Sequence, residues 1–202
     1  MNYHLLGDGT RYNTTYTNLR YNLIVQEEES GNPKSTVYLD SALAHNPTIG
    51  VGFNLRDSAV RDAVLTAFGF NVGATPTTNA AEFGYLQEIK ALVNASYSVS
   101  VLCAKLNDVM SRRFADPRIP AANITRADFQ FLNDAEIKSV FNVVVEFQES
   151  KIDSFYGTVP GSLERLSLLS LKYSAVLGTN LRNALQSGDR AEAWYEIRYG
   201  SN

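Results

Sequence analysis

The chain has 202 residues, of which 45% are hydrophobic and 19% charged, and its formal net charge is −3 at pH 7. These values are ordinary for a folded globular protein and predict a single domain with a sizeable core. No run of about 18 apolar residues occurs, which excludes a membrane-spanning helix, and no strongly basic segment points to nucleic acid as a partner.

Cysteine and histidine are too scarce to build a disulfide framework or a metal centre. Cys103 is the only cysteine, and its place among helically spaced apolar residues predicts a buried, inert thiol. The two histidines, His4 and His45, form no cluster with metal-ligand spacing. This argues against a catalytic zinc ion.

The first quarter of the chain predicts an irregular lead-in, one helix and a small β-element. Residues 1–16 are rich in Asn, Thr, Tyr and Gly and predict an irregular segment. Residues 17–29 carry apolar side chains at helical spacing, with Thr17 as the predicted N-cap. Residues 35–40 and 48–53 are short, β-rich segments that predict a hairpin or a three-stranded sheet.

Helical spacing dominates the rest of the chain. The predicted helices cover residues 56–68, 79–95, 98–114, 125–132 and 134–149. Gly69 directly follows the first of them and is a predicted C′ glycine. Residues 163–176 are strongly apolar and predict a buried segment, and residues 181–185 and 190–199 close the chain. One small β-element followed by many helices predicts an α+β fold.

Two of these helices depend on particular signals. Thr125 with Asp128 three residues later resembles a capping box, which predicts a helix beginning there. An apolar stripe along residues 134–149 predicts a long central helix with one buried face. The members of the stripe are Ile137, Val140, Val144 and Phe147.

Three successive glutamates, Glu27, Glu28 and Glu29, end the first predicted helix. Repulsion between like charges and the dipole at a helix C-terminus both disfavour ionised carboxylates there. A carboxylic acid that stays protonated is what glycoside hydrolysis needs at the leaving oxygen. The alternative, a solvated acidic helix end, is the commoner explanation for the triplet taken alone.

A second group of polar residues follows the triplet. The segment Tyr38-Leu39-Asp40 precedes Thr48-Ile49-Gly50-Val51-Gly52 and adds a carboxylate and a hydroxyl. Each has an ordinary explanation: Asp40 can start a turn, Thr48 can be a strand threonine, and the glycines can mark a bulge. The glycine spacing is not that of a phosphate loop, because no Gly-Lys-Ser/Thr sequence or third glycine follows.

Taken together, the triplet and these two segments resemble the active-site region of the phage-type lysozymes of glycoside hydrolase family 24, including their pesticin-like relatives. Residues 168–174 (LLSLKYS) resemble the family's apolar helix leading into an aromatic-Asn pair. Residues 181–194 (LRNALQSGDRAEAW) resemble its Gly-Asp turn and Ala-rich helix. The resemblance covers residues 19–55 and 125–202.

The resemblance implies a lysozyme-like α+β fold. In that fold a small N-terminal β-element and a mostly helical larger lobe enclose the active-site cleft. On this interpretation residues 1–202 form one lysozyme-like domain. Its lead-in is residues 1–16, its catalytic helix and hairpin are residues 17–55, and its helical lobe is residues 56–202.

The resemblance also implies roles for individual residues. Glu28 matches the general acid, because the pair Leu23-Ile24 precedes it as in the family, and Glu29 is its rival. Asp40 matches the second carboxylate, and Thr48 matches the threonine that helps to hold water. The family's reaction inverts the anomeric carbon, which requires carboxyl groups about 6.5–9.5 Å apart to admit that water.

Three further residues are implied to line the cleft: Phe53, Asn54 and Tyr173. The alternatives are a core aromatic residue and a turn asparagine. The sequence also departs from the family pattern. Ser174 stands where Asn is commoner, and the gap from the triplet to Asp40 is longer than usual, which leaves Glu28 and Glu29 both open.

The implied function is that of a peptidoglycan muramidase, which hydrolyses the β-1,4 bond between N-acetylmuramic acid and N-acetylglucosamine. Its partner is the glycan strand, and it needs no cofactor. Residues 1–11 have no basic segment followed by an apolar one, so we expect synthesis in the cytoplasm without a signal peptide and action on the cell wall. A phage lysis enzyme, a bacteriocin and an injected effector all fit, and the chain can be part of a larger protein.

Two other functions remain open on the sequence. One is a binding or structural protein with a lysozyme fold, such as part of a phage tail, that holds glycan without cutting it. The retained Glu, Asp and Thr argue against it, because a binding-only site needs no matched acid. The other is a lytic transglycosylase, which would dispense with Asp40 as a water-managing group and would release a product with an anhydro ring.

Overall fold

The computed structural model describes residues 3–28, 32–40, 45–156, 158–173 and 177–200. The chain divides into two compact units. The first unit contains residues 1–31 and 145–202, and the second contains residues 32–144. The predicted catalytic segment 17–55 is therefore shared between the units. Both are largely helical, and the second carries a small antiparallel sheet, which confirms the α+β class.

The sheet of the second unit has three strands in the order β1, β2, β3. These are β1 (Lys34–Leu39), β2 (Pro47–Gly50) and β3 (Phe53–Asn54). The predicted strand 48–53 is thus divided by a tight turn. Gly50 has φ +67°, and a Cβ there would lie 2.5 Å from the Phe53 ring. Only glycine accepts both the left-handed backbone and this close approach.

Three predicted helices of the second unit are confirmed. They are α2 (Ser58–Ala67), α3 (Ala80–Asn94) and α4 (Val99–Phe114). Asp57 caps α2 and Asn79 caps α3, each by accepting hydrogen bonds from main-chain N–H groups of the first turn. These caps satisfy donors that a helix N-terminus would otherwise leave without partners.

The predicted helix 125–132 is wrong. The segment is irregular, and the Thr125 hydroxyl donates to the Phe68 carbonyl at 3.0 Å instead of capping a helix. Phe129 and Phe131 are both buried edge-on against the Phe68 ring. Burial of the two aromatic rings stabilises this irregular conformation more than the formation of a single short helix would.

A buried ion pair joins α3 to α4 within the second unit. The Arg113 guanidinium donates to both carboxylate oxygens of Glu82, at 3.0 and 2.8 Å. Glu82 also accepts from the main-chain N–H of Asn71 at 2.9 Å. The bidentate geometry and the added donor offset the cost of burying both charges. Cys103 on α4 is half-buried rather than fully buried, and burial raises the pKa of its thiol.

The long helix α5 (Asp134–Tyr156) begins in the second unit and ends in the first. The predicted stripe is buried at Ile137, Val140 and Val144, but Phe147 is 41% exposed. Phe147 lies ten residues after Ile137, whereas three full helical turns take 10.8 residues. Phe147 is therefore rotated by about 80° around the helix axis from Ile137. The buried face continues instead through Glu149.

The first unit begins with an irregular segment and α1 (Thr14–Asn22). The helix starts three residues earlier than predicted, and Asn13, not Thr17, is its N-cap. The Asn13 side chain accepts from the Tyr16 N–H at 2.9 Å, whereas the Thr17 hydroxyl donates back to the Asn13 carbonyl. A π-helical turn, Leu23–Glu28, continues the helix.

The C-terminal part of the first unit contains α6 (Leu163–Tyr173), α7 (Thr179–Ser187) and α8 (Arg190–Tyr195), followed by a π-helical turn, Glu196–Gly200. Leu181, Ala184 and Ala193 form a small buried core between α7 and α8. None of the helices in the described ranges is both long and apolar enough to cross a membrane.

Candidate functional site

The sheet of the second unit brings Asp40 and Thr48 to the same end of one hairpin. Tyr38 lies opposite Thr48, and Leu39 lies opposite Pro47, so Asp40 directly follows the last paired residue of β1. The Asp40 N–H then donates to the Asn46 carbonyl at 3.0 Å. Antiparallel pairing thus brings two residues that are eight positions apart in the sequence, one with a carboxylate and one with a hydroxyl, to the same end of the hairpin.

The Thr48 hydroxyl has a defined orientation. It donates to the Asn46 carbonyl at 2.9 Å, so its oxygen can only accept a hydrogen bond from a further group. Thr48 is 1% exposed, and only a small part of its side chain can therefore face a water molecule. Asp40, by contrast, is half-buried at the end of its strand.

Asn46 and Arg56 form a polar hub beside this hairpin end. The Arg56 guanidinium donates to the Asn46 side-chain oxygen at 2.9 Å and to the Val93 carbonyl at 3.1 Å. Two hydrogen bonds of this kind hold the Arg56 side chain in one orientation. Sequence reasoning missed both residues, although Arg56 follows the motif directly.

A cavity of about 450 Å³ lies next to the hub. The described residues that line it come from the hairpin, from the turn after β3 and from the connection between α3 and α4. They are Leu39, His45, Arg56, Ala95, Ser96 and Tyr97. The size and the mixture of one aromatic ring with several polar groups are typical of small-ligand pockets. Nothing in the sequence spacing connects Tyr97 with Leu39 and Arg56, so pattern reasoning could not have found it.

Two of the residues predicted to line the cleft have structural roles. Phe53 is 1% exposed and packs edge-on against Phe131, with ring centroids 6.1 Å apart. Asn54 lies opposite Thr48, and its side-chain oxygen accepts from the Arg56 N–H at 2.9 Å. These placements correspond to the core and turn alternatives for Phe53 and Asn54.

The remaining predicted site residues belong to the first unit. Glu28 is the last residue of the π-helical turn after α1. Its side chain lies outside the described part of the structure, as do Glu29 and Ser174. Tyr173 ends α6 and is half-buried.

A buried charge cluster, which the sequence analysis missed, ties together α1, α5 and α6 within the first unit. Glu149 accepts from the Tyr16 hydroxyl at 2.7 Å and from the Arg20 and Arg165 guanidinium groups at 3.2 Å each. Arg165 also pairs with Asp153 at 2.7 Å. Desolvation and the neighbouring Glu149 carboxylate raise the pKa of Tyr16, so its phenol remains a hydrogen-bond donor at neutral pH.

Within the described ranges, no group of three or more His, Cys, Asp or Glu side chains is arranged to hold a metal ion. Comparisons with protein-family models, curated proteins and solved structures find no match for this chain.

Proposed function

We propose that this protein is a peptidoglycan muramidase with a lysozyme-like fold. In this proposal Glu28 donates a proton to the leaving oxygen, while Asp40 and Thr48 orient and activate the attacking water. Water enters opposite the leaving group, so the anomeric carbon is inverted. The enzyme needs no cofactor and acts on the cell wall, as a phage lysis enzyme, a bacteriocin or an injected effector.

The observation that carries the proposal is the geometry of the hairpin end. Asp40 and Thr48 supply the carboxylate and the hydroxyl of the lysozyme-like motif. The main-chain N–H of Asp40 and the hydroxyl of Thr48 both donate to the Asn46 carbonyl. A water molecule between them could donate one proton to the Asp40 carboxylate and another to the Thr48 oxygen. This arrangement leaves the lone pair of the water free to attack.

The cavity next to the hairpin supports the proposal by offering a contact surface for glycan. Sugars need hydrogen-bonding groups for their hydroxyls and an aromatic ring for their apolar faces. Arg56 and His45 supply the first, and Tyr97 supplies the second. A glycan unit in this cavity would lie beside Leu39, the neighbour of Asp40.

Digestion of purified peptidoglycan tests the proposal. The wild-type chain would be compared with Glu28→Gln, Glu29→Gln and Asp40→Asn, with Glu27→Gln and Asp108→Asn as matched controls that remove a negative charge elsewhere. Reactions run in water enriched in ¹⁸O would be analysed by mass spectrometry. NMR of the first product would identify its anomer.

We expect reducing-end muropeptides that carry one ¹⁸O atom and appear first as the α-anomer. Glu28→Gln and Asp40→Asn should each lower the rate by about 10²-fold or more, while the two controls retain it. Loss of activity in Glu29→Gln, but not in Glu28→Gln, would move the acid to Glu29. Anhydro products would indicate a transglycosylase, and binding of glycan without any product would indicate a binding protein.

A further inference from the structure

A second pocket, in the first unit, gathers positive charge from three helices. The described residues that line it are Lys151, Ile152 and Ser154 on α5, Lys172 on α6, Leu177, and Arg182 on α7. The three basic residues lie 10 to 31 positions apart in the sequence. The pocket is separate from the hairpin site, which belongs to the other unit.

The lining holds three cationic side chains and no carboxylate among the described residues. Neither Lys151 nor Lys172 takes part in an ion pair within the described part of the chain. Other buried basic groups of this protein do have acidic partners, as Arg113 and Arg165 do. Lys151 and Lys172 therefore concentrate positive charge in this pocket without an ion-pair partner among the described residues.

The electrostatics of Lys172 agree with this description. Desolvation lowers the pKa of its ammonium group, and the charges of Lys151 and Arg182 lower it further. Among the described residues, the charged groups that act on this pKa all lower it. Bringing like charges together raises the free energy of the protonated state, and a bound anion would relieve that cost.

The size of the pocket selects among anions. Its volume of about 180 Å³ is roughly six times the liquid volume of one water molecule. It is well below the volume of about 300 Å³ at which pockets for whole drug-sized ligands begin. A single charged group fits, with the two lysine ammonium groups able to donate to its oxygens and the positive charge of Arg182 beside them.

We infer that this pocket is an oxyanion-binding site, which takes the phosphate or carboxylate group of a ligand between Lys151, Lys172 and Arg182. The inference does not depend on the proposed muramidase activity. Its test measures binding of an anion rather than turnover of peptidoglycan.

Isothermal titration calorimetry of the full chain with inorganic phosphate, and separately with acetate, tests the inference at constant ionic strength in chloride buffer. The variants are Lys172→Met, which keeps the aliphatic stem, and Lys172→Arg, which keeps the charge. Lys151→Met removes a second positive charge of the pocket, at an exposed position. Lys90→Met, on the exposed face of α3 in the other unit, is the matched control.

We expect one oxyanion bound per chain, with affinity lowered at least tenfold by Lys172→Met and Lys151→Met but retained by Lys172→Arg and Lys90→Met. Preference for phosphate would assign a phosphorylated ligand, and preference for acetate a carboxylate. Absence of saturable binding of either anion to the wild type would overturn the inference. Equal affinities in Lys172→Met and Lys90→Met, with both variants folded by circular dichroism, would also overturn it.

Discussion

Thr48 and Asn46 are joined by a hydrogen bond that fixes which atoms of the threonine remain available. The Thr48 hydroxyl donates to the Asn46 carbonyl at 2.9 Å. That carbonyl also accepts from the Asp40 N–H, so the threonine and the aspartate are held through one acceptor. The geometry leaves the Thr48 oxygen with acceptor capacity only, which is the capacity that orienting a water molecule requires.

Two substitutions at Thr48 should therefore distinguish the effect of its hydroxyl on activity from the effect of its side-chain shape. Thr48→Val keeps the shape but removes the hydroxyl, and we expect peptidoglycan cleavage to slow by about 10²-fold because the water is misplaced. Unfolding should become easier by only about 1 kcal/mol, the typical net value of one hydrogen bond. Thr48→Ser should keep most of the activity. Initial rates and urea unfolding measure both effects, and equal rates in the two variants would contradict the assigned role.

Glu149 should be among the most sensitive positions for the stability of the first unit. Its carboxylate accepts from Tyr16, Arg20 and Arg165 in a buried setting. Glu149→Gln leaves buried guanidinium groups facing a neutral amide, and we expect a loss of about 3 kcal/mol in the free energy of unfolding.

Tyr16→Phe is the matched comparison, because it removes only the neutral donor to the same carboxylate. It should cost about 1 kcal/mol. Urea unfolding followed by circular dichroism gives both values. A larger loss in Tyr16→Phe than in Glu149→Gln would show that the hydroxyl, rather than the charge, dominates the cluster.

Two glycines of the second unit should respond to alanine with opposite signs. Gly69 ends α2 with φ +83°, and a Cβ there would lie 2.4 Å from the Asn123 carbonyl. Gly69→Ala should therefore destabilise the protein by more than about 1 kcal/mol. Gly84 lies within α3 and is exposed, with no atom near its missing Cβ.

Gly84→Ala should stabilise the protein by about 0.5–1 kcal/mol, because alanine lowers the backbone entropy of the unfolded chain. Thermal unfolding of the two variants beside the wild type provides the measurement. A decrease in Tm for Gly84→Ala would mean that this part of α3 is constrained by something other than its own helix propensity.

Local signals in the sequence predict some helices of this protein correctly and fail for others. The limits of α2 and α3 were predictable because Asn79 and Gly69 are local signals that act within one turn of the helix. The segment 125–132 carried an equally clear local signal at Thr125. It failed because Phe129 and Phe131 pack on Phe68, about sixty residues away, and tertiary burial outweighs one cap.

The same distinction applies to the two candidate sites. Asp40 and Thr48 could be located from the sequence, because a short hairpin brings near neighbours together. Tyr97 at the hairpin cavity lies in the connection between α3 and α4, and Lys172 and Arg182 at the basic pocket lie on two different helices. These segments come together only in the folded chain. Residue spacing within one helix or strand cannot predict that such residues lie close together.

Glu164 should titrate well below an ordinary glutamate. The hydrogen bond from the His4 side chain, together with main-chain N–H groups, lowers the pKa of Glu164 from 4.5 to about 2. The contact therefore contributes stability above pH 4.5, where the carboxylate is ionised in both the folded and unfolded chain. The contribution is lost as the pH falls from 4.5 towards 2.

NMR titration of the Glu164 side-chain carboxyl carbon would measure this midpoint directly. His4→Ala should move the midpoint part of the way back to 4.5, because the main-chain N–H of residue 4 still donates to the carboxylate at 3.0 Å. His45→Ala, which alters the other histidine of the chain in the second unit, should leave the midpoint unchanged. A midpoint near 4.5 in the wild type would mean that the pair of His4 and Glu164 does not persist in solution.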